Sequence, residues 1–345
     1  MSKNKYFKIF LINSLIFLVG FILIEIIFGN WLKQSNFSSL IIKKNIIKVW
    51  SPKHYSSNHK AMYKKDKFGF RGDYKKIEDI KILTIGGSTT DERWIDEKLT
   101  WSNKLQNKLK THFNNNLYSV ANAGIDGQST IGHIKNFELW LKKIKNLKPK
   151  YFIFYIGIND SILLIESSNK SSSLSKYSIA DNLINEFTNE KLIKYFKNNS
   201  ALYNLYKIID GNFKARKYGV IHKTESWKNI SNKKVIQIDH ENQNVKLFLK
   251  KYSERLKILN DYTHELNSTP IFVTQIVKKN NHLEDSLRII NDATKNFCKL
   301  EKAKCFYLDE NINFEFSDDF YDDIHTRPSG NDKISDYLFK SLINL

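Results

Sequence analysis

Tyr151 to Gly157 reads YFIFYIG, an uninterrupted apolar run bounded by Pro149 and Gly157. A strand with one wet face alternates apolar and polar residues. A strand without alternation is buried on both faces, as an inner strand of a parallel sheet between helices must be. Ile80–Ile85 and Pro270–Ile276 read as further buried strands, Tyr118–Ala121 as a short strand and Cys305–Glu310 as a fifth. Apolar residues at helical spacing lie between and after them, at Lys98–Phe113 (Leu99, Leu105, Leu109, Phe113), Ile131–Leu147 (Phe137, Leu141, Ile144), Val245–Leu266, Asp285–Leu300 and Ser329–Leu342. Regular alternation of strand and helix predicts an α/β domain on a five-stranded parallel sheet.

A second apolar run, Ile9 to Phe28, has the length of about twenty residues that a helix needs to cross a bilayer. Lys3, Lys5 and Lys8 precede it, and Trp31 and Lys33 follow as interfacial anchors would. Bulky residues after the run offer no small-x-small cleavage site, so it reads as an uncleaved anchor. Glu25 is expected to snorkel and is assigned no function. The expected organisation is an anchor over residues 1–33, a tether and lead-in over 34–79, and a domain over 80–345 carrying an insertion at 161–239. With basic residues before the span, the domain is expected outside the cytoplasm. Cys298 and Cys305 fit either a small disulfide loop or two buried thiols. Although the formal net charge is +19 over 345 residues, the lysines are spread along the chain and form no compact basic block, which argues against nucleic acid as a partner.

In an open parallel sheet, ligands bind at the carboxyl ends of the strands. The first strand ends on Gly86-Gly87-Ser88, the second on NAGIDGQST (Asn122–Thr130), and the third on GIND (Gly157–Asp160). After the fifth comes DDIHTRPSG (Asp322–Gly330). A serine hydroxyl needs a base to attack a carbonyl at neutral pH, and His325 has a suitable intrinsic pKa. Asp322, three residues earlier, can fix the imidazole tautomer. Main-chain N–H groups of Ser88 and Gly127, with the Asn159 amide, can form an oxyanion hole. Asp91 and Asp160 read as caps of the helices that follow them. The histidines at 54, 59, 112, 133, 222, 240, 264 and 282 show no zinc-like ligand spacing, and no metal or cofactor is expected.

These four blocks, GGS with Ser88, NAGIDG with Gly127, GIND with Asn159 and DDIH with Asp322 and His325, resemble those of the SGNH/GDSL hydrolase family. The resemblance covers roughly Lys81 to Leu345 apart from the insertion. It implies a flavodoxin-like three-layer α/β/α sandwich and Ser-His-Asp acyl-ester chemistry, with Ser88, His325 and Asp322 as the catalytic residues. This chain departs from the family in having Gly87 where an aspartate usually precedes the serine. Gly124 and Gly127 both offer a donor, and Gly127 is chosen because the family's glycine sits five residues after the asparagine. The GFRG turn, Phe70–Gly72 with Gly69 before it, resembles the lead-in of membrane-anchored bacterial members, with Arg71 expected in a structural salt bridge.

The expected activity is removal of O-acyl groups, acetyl foremost, from a cell-envelope glycan or lipid-linked sugar. The alternatives are an O-acyltransferase using the same residues, and a non-catalytic glycan-binding protein. A lipase is disfavoured because the insertion lacks a long apolar run. The expected partners are the acylated glycan, the membrane, and envelope-polysaccharide machinery.

Overall fold

The computed structural model describes residues 3–29, 31–32, 42–52, 60–115, 118–168, 195–196, 199–217, 222 and 234–345. Most of the tether before Ala61, most of the insertion on either side of residues 195–217, His54 and His59 lie outside them. The chain divides into two compact units, residues 1–41 with 173–217, and residues 42–172 with 218–345.

In the larger unit, β3 (Ile80–Gly86), β4 (Ser119–Asn122), β5 (Tyr151–Tyr155), β6 (Thr269–Val273) and β7 (Lys304–Phe306) form one sheet in the order β4-β3-β5-β6-β7. Every pairing in it is parallel. Counted from its first strand the order is 2-1-3-4-5, the flavodoxin-like winding whose reversal point lies between the first and third strands.

Residues of β5 alternate between two buried layers, which explains the unbroken apolar run. Ile153 and Tyr155 join Ile82, Val120, Ile271 and Val273 in a core closed by Trp101, Leu105 and Leu109 of α3 (Trp101–His112) and Ile334 and Leu338 of α11 (Pro328–Ile343). Phe152 and Phe154 face the other way. Phe137 of α4 (Thr130–Leu139) packs on both at 5.3 and 6.0 Å between ring centroids. Phe154 stacks on Phe272, which meets Phe297 of α8 (Glu284–Glu301). With α5 (Ile158–Ser168) and α7 (Gln243–Glu265) packed among them, these helices complete the third layer.

One expectation needs correction, and two segments gain detail. The fifth strand stops at Phe306, and Leu308–Asn311 is a short helix, α9. Asp309 is held within that turn by Thr274 Oγ1 (2.6 Å) and Lys295 Nζ (2.8 Å). The first residues assigned to the insertion, from Ser161, prolong α5. The lead-in is also structured: β1 (Ile46–Trp50) and β2 (Ala61–Lys65) form an antiparallel pair. Arg71 makes a two-way main-chain bridge with Asn122 on the open edge of β4, at 2.9 and 2.8 Å.

Cys298 and Cys305 form a disulfide with Cα atoms 6.1 Å apart, joining the end of α8 to β7.

The smaller unit contains α1 (Lys3–Phe28) and α6 (Ala201–Lys217). Tyr6–Phe28 is long and apolar enough to cross a membrane, with mean hydropathy 2.6. Glu25 does not simply reach for water. Its carboxylate accepts from Ser200 Oγ (2.8 Å), Ala201 N (2.9 Å), Leu202 N (3.2 Å) and Trp31 Nε1 (2.8 Å). It therefore serves the first N–H groups of α6, which have no partner within their own helix.

Candidate active site

Ser88 opens a four-residue helix, α2 (Ser88–Asp91), at the end of β3. The two glycines before it answer to crowding. A Cβ on Gly87 would lie 2.4 Å from Asn159 Nδ2, and one on Gly86 would lie 2.5 Å from the Tyr155 carbonyl.

His325 lies in the turn between α10 (Phe316–Asp319) and α11, closed by an antiparallel bridge between Phe320 and Thr326. Its Nε2 is 2.8 Å from Ser88 Oγ, and its Nδ1 is 2.9 and 2.8 Å from the two Asp322 oxygens. Asp322 also accepts the main-chain N–H groups of Ile324 (3.0 Å) and His325 (2.8 Å). Burial pushes the Asp322 carboxyl up. The charge and hydrogen bond of His325, the His222 ring and the Ile324 N–H outweigh it and hold the carboxyl below its ordinary value. With the carboxylate on Nδ1, that nitrogen carries the proton and Nε2 is left to accept from Ser88.

Asn159, at the start of α5, donates from Nδ2 to the Gln128 carbonyl at 2.9 Å. This ties the third strand end to the loop after the second. In that loop Gly124 N donates to Asn122 Oδ1 at 2.8 Å, so its N–H is already committed. Gly127 is exposed, has φ of +73° and has open space where a Cβ would be. The positive φ is one that glycine adopts without steric cost.

The two aspartates read as helix caps instead join separate elements. Asp91 accepts from Tyr63 Oη (2.9 Å) and pairs with Lys65 (2.9 Å), both on β2. Asp160 accepts from Thr130 N (3.0 Å) and Thr130 Oγ1 (2.6 Å), at the start of α4. Arg71, fully buried, donates to the carbonyls of Asp91 (2.5 Å), Glu92 (2.9 Å) and Ile95 (3.1 Å) and pairs with Glu97 at 2.9 Å. It holds the segment that follows Ser88.

Two residues at the site were not singled out from sequence. Gln275, just past β6, donates from Nε2 to Thr89 Oγ1 (2.9 Å) and accepts the Ile158 N–H (2.7 Å) on Oε1. It thereby connects the serine and asparagine blocks, and its place at a strand end was the available signal. His222 stacks on His325 with ring centroids 3.9 Å apart, and its Nδ1 is 2.8 Å from Tyr321 Oη. Its Nε2 lies 3.7 Å from Asp126, which is held by Arg93 at 2.8 Å. Burial and the nearby charge of His325 push the His222 ring down, favouring its neutral form. Trp94 meets His222 edge-on at 6.4 Å, and Trp50 packs against Trp94 at 4.6 Å.

Ligand atoms of His222, Asp322 and His325 lie within 4.8 Å of one another, a grouping that sequence spacing could not reveal. Both ring nitrogens of His325 already face protein partners, Asp322 and Ser88.

A family model described as GDSL-like Lipase/Acylhydrolase matches residues 82–338. Among solved structures, TesA is similar at 12% identity and a TM-score of 0.44, covering 76% of this chain and 97% of that one. LAE5, an alpha/beta hydrolase enzyme from the metagenome of Lake Arreo, Spain, is similar at 12% identity and a TM-score of 0.43, covering 76% and 94%. A catalytic mutant of Axe2, an acetylxylan esterase from Geobacillus stearothermophilus, is similar at 13% identity and a TM-score of 0.43, covering 76% and 94%. Comparison with curated proteins finds no match.

Proposed function

The chain belongs to the GDSL-like lipase/acylhydrolase family, and we propose that it is a membrane-anchored serine esterase that removes O-acyl groups, acetyl foremost, from a glycan of the cell envelope. Family membership makes it an enzyme acting on ester bonds. The finer reading is carried by one observation, the unbroken chain of contacts from Ser88 Oγ through His325 to Asp322.

In this reading His325 Nε2 takes the Ser88 proton as Oγ attacks the ester carbonyl. The N–H groups of Ser88 and Gly127 and the Asn159 amide receive the developing oxyanion. Collapse of the tetrahedral species breaks the bond to the sugar oxygen, which takes the proton from His325. Water then attacks the acyl-serine, giving a proton to His325. Release of the carboxylic acid returns that proton to Ser88. Asp322 stays ionised and stabilises the imidazolium in both halves.

A sugar substrate is favoured by the aromatic surface of Trp94 and Trp50 beyond His222. Neither indole N–H has a hydrogen-bond partner among the described residues. Those N–H groups are themselves buried, so what the half-buried rings of Trp50 and Trp94 offer is apolar aromatic area, which suits the C–H face of a pyranose ring. In this reading residues 1–33 anchor the chain, residues 80–345 carry the chemistry, and lysines before the span place the domain outside the cytoplasm. The disulfide suits an oxidising compartment.

The test is mass spectrometry of envelope glycans from cells with the protein, without it, and with Ser88→Ala. Acyl groups that accumulate equally in the last two are expected. Glycans that lose acyl groups when the protein is absent would instead mark an acyltransferase. Unchanged glycans, with p-nitrophenyl acetate hydrolysis that survives Ser88→Ala, would sink the reading.

A further inference from the structure

Glu25 lies within one helical turn of Phe28, the last residue of α1, and its carboxylate holds the start of α6. A carboxylate within an apolar span is costly unless paired. Here two main-chain N–H groups, a serine hydroxyl and an indole N–H compensate it, and the positive end of the α6 dipole adds to them. The contact fixes α6 to the level where α1 ends. Trp31 gathers Tyr195 and Phe196 at the same place, with ring centroids 5.8 and 5.4 Å away. Aromatic rings of this kind concentrate where hydrocarbon meets headgroups.

From that start, α6 has two unlike sides. Leu202, Leu205, Tyr206, Ile209 and Phe213 follow the spacing of one helical face, while Asn204, Lys207, Gly211 and Lys214 occupy positions around the opposite side. The apolar face is open: Leu205 is 50%, Tyr206 61%, Ile209 47% and Phe213 70% exposed. The helix has 17 residues, includes Asp210 and ends in Arg216 and Lys217, so it is too short and too charged to cross a bilayer. Amphipathic, basic at its end and fixed beside the end of an apolar span, it has the form of a helix that lies in the membrane surface.

We propose that α6 is a second membrane-binding element, lying in the interface at the C-terminal end of α1 with Leu205, Ile209 and Phe213 in lipid. This rests on the reading of α1 as a membrane span. The insertion would then give the enzyme a lipid contact beyond a single anchor.

Both native cysteines are paired, so an introduced cysteine can be labelled alone. The full chain would carry Leu205→Cys, Ile209→Cys or Phe213→Cys on the apolar side, Asn204→Cys or Gly211→Cys on the other, or Ile16→Cys within α1. Each variant, bearing an environment-sensitive fluorophore, would be reconstituted in phosphatidylcholine vesicles containing phosphatidylglycerol and quenched with spin-labelled lipids. Ile16 should respond most to a deep quencher. Positions 205, 209 and 213 should respond to a shallow quencher about twofold or more above 204 and 211, as for a helix in the interface plane. Equal quenching on both sides of α6, with Ile16 quenched, overturns the proposal and leaves the anchor standing. So do blue-shifted labels at 205, 209 and 213 that lipid cannot quench, because protein then covers that face. An unquenched Ile16 removes the anchor reading and this proposal together.

Discussion

His222 lays its imidazole over that of His325, with ring centroids 3.9 Å apart and planes 21° from parallel. A neutral ring in this position leaves His325 free to become an imidazolium, whereas a cation there would oppose it. At an effective dielectric near 20, two unit charges about 4 Å apart repel by about 4 kcal/mol. His222→Phe should keep kcat/KM within about tenfold of the parent, since it preserves the ring without a charge. His222→Arg should lower kcat/KM at neutral pH by about thirtyfold or more, the effect of half that repulsion. It should also move the acid limb of the pH profile to lower pH, because the added cation disfavours protonated His325. Equal pH profiles for the Phe and Arg variants would show that no charge at position 222 reaches His325.

The parts of the site legible in the sequence are those at strand ends. Parallel strands deliver their carboxyl ends to one edge, so the serine and asparagine blocks, with Ser88 and Asn159, could be brought together without knowing any side-chain contact, while the part of Gly127 stays a proposal. Asp322 and His325 were readable because three residues separate them. His222 was not, because it belongs to no strand and reaches His325 only through the folded chain. Asp91 looked like a local cap because its true partners, Tyr63 and Lys65, lie on a hairpin read as tether. Glu25 reads as a snorkelling side chain because its partner Ser200 is 175 residues away. Burial on both faces wrote the central strands plainly into the composition, while edge strand β7 was misjudged because Leu308 is equally apolar in a helix.

Gly87 and Asn159 should be coupled. The Cβ of Gly87→Ala would fall 2.4 Å from Asn159 Nδ2, the movable end of a side chain, so the amide can give way at little cost in stability. What it would lose, in the proposed mechanism, is its aim at the oxyanion. Gly87→Ala is expected to lower kcat by about tenfold to a hundredfold with little change in Tm, and Asn159→Ala by about a hundredfold or more. In the double variant the clash has no target, so the two losses should not multiply. A double variant whose kcat falls by the full product would disprove the coupling.

Arg71 should matter for stability before it matters for rate. Its buried guanidinium serves three carbonyls and Glu97, a set that the ammonium of lysine cannot reproduce. Arg71→Ala leaves those groups buried without a partner and is expected to cost about 3–5 kcal/mol in denaturant unfolding. Arg71→Lys should recover only part of this. A loss below about 1 kcal/mol for the alanine variant would place Arg71 outside the framework around α2.

His133 on α4 gives the larger unit an acid-sensitive element away from the proposed chemistry. Its ring is buried, and neither nitrogen has a hydrogen-bond partner among the described residues. Burial pushes its pKa down to about 3 from the ordinary 6.5. Between those values the unfolded chain binds a proton that the folded chain refuses, so stability falls as pH drops from 6.5 towards 3. The full slope for one such group is about 1.4 kcal/mol per pH unit. His222 is shifted in the same direction and adds to the slope. Asp322, whose pKa is also lowered, loses its contribution only below its ordinary value of 3.8. His133→Leu should therefore flatten the stability curve between about pH 6.5 and about 4 without abolishing its fall, and should leave the acid limb of kcat/KM in place. Urea midpoints measured across that range for parent and variant decide it, and parallel curves would mean that His133 takes up its proton in the folded protein.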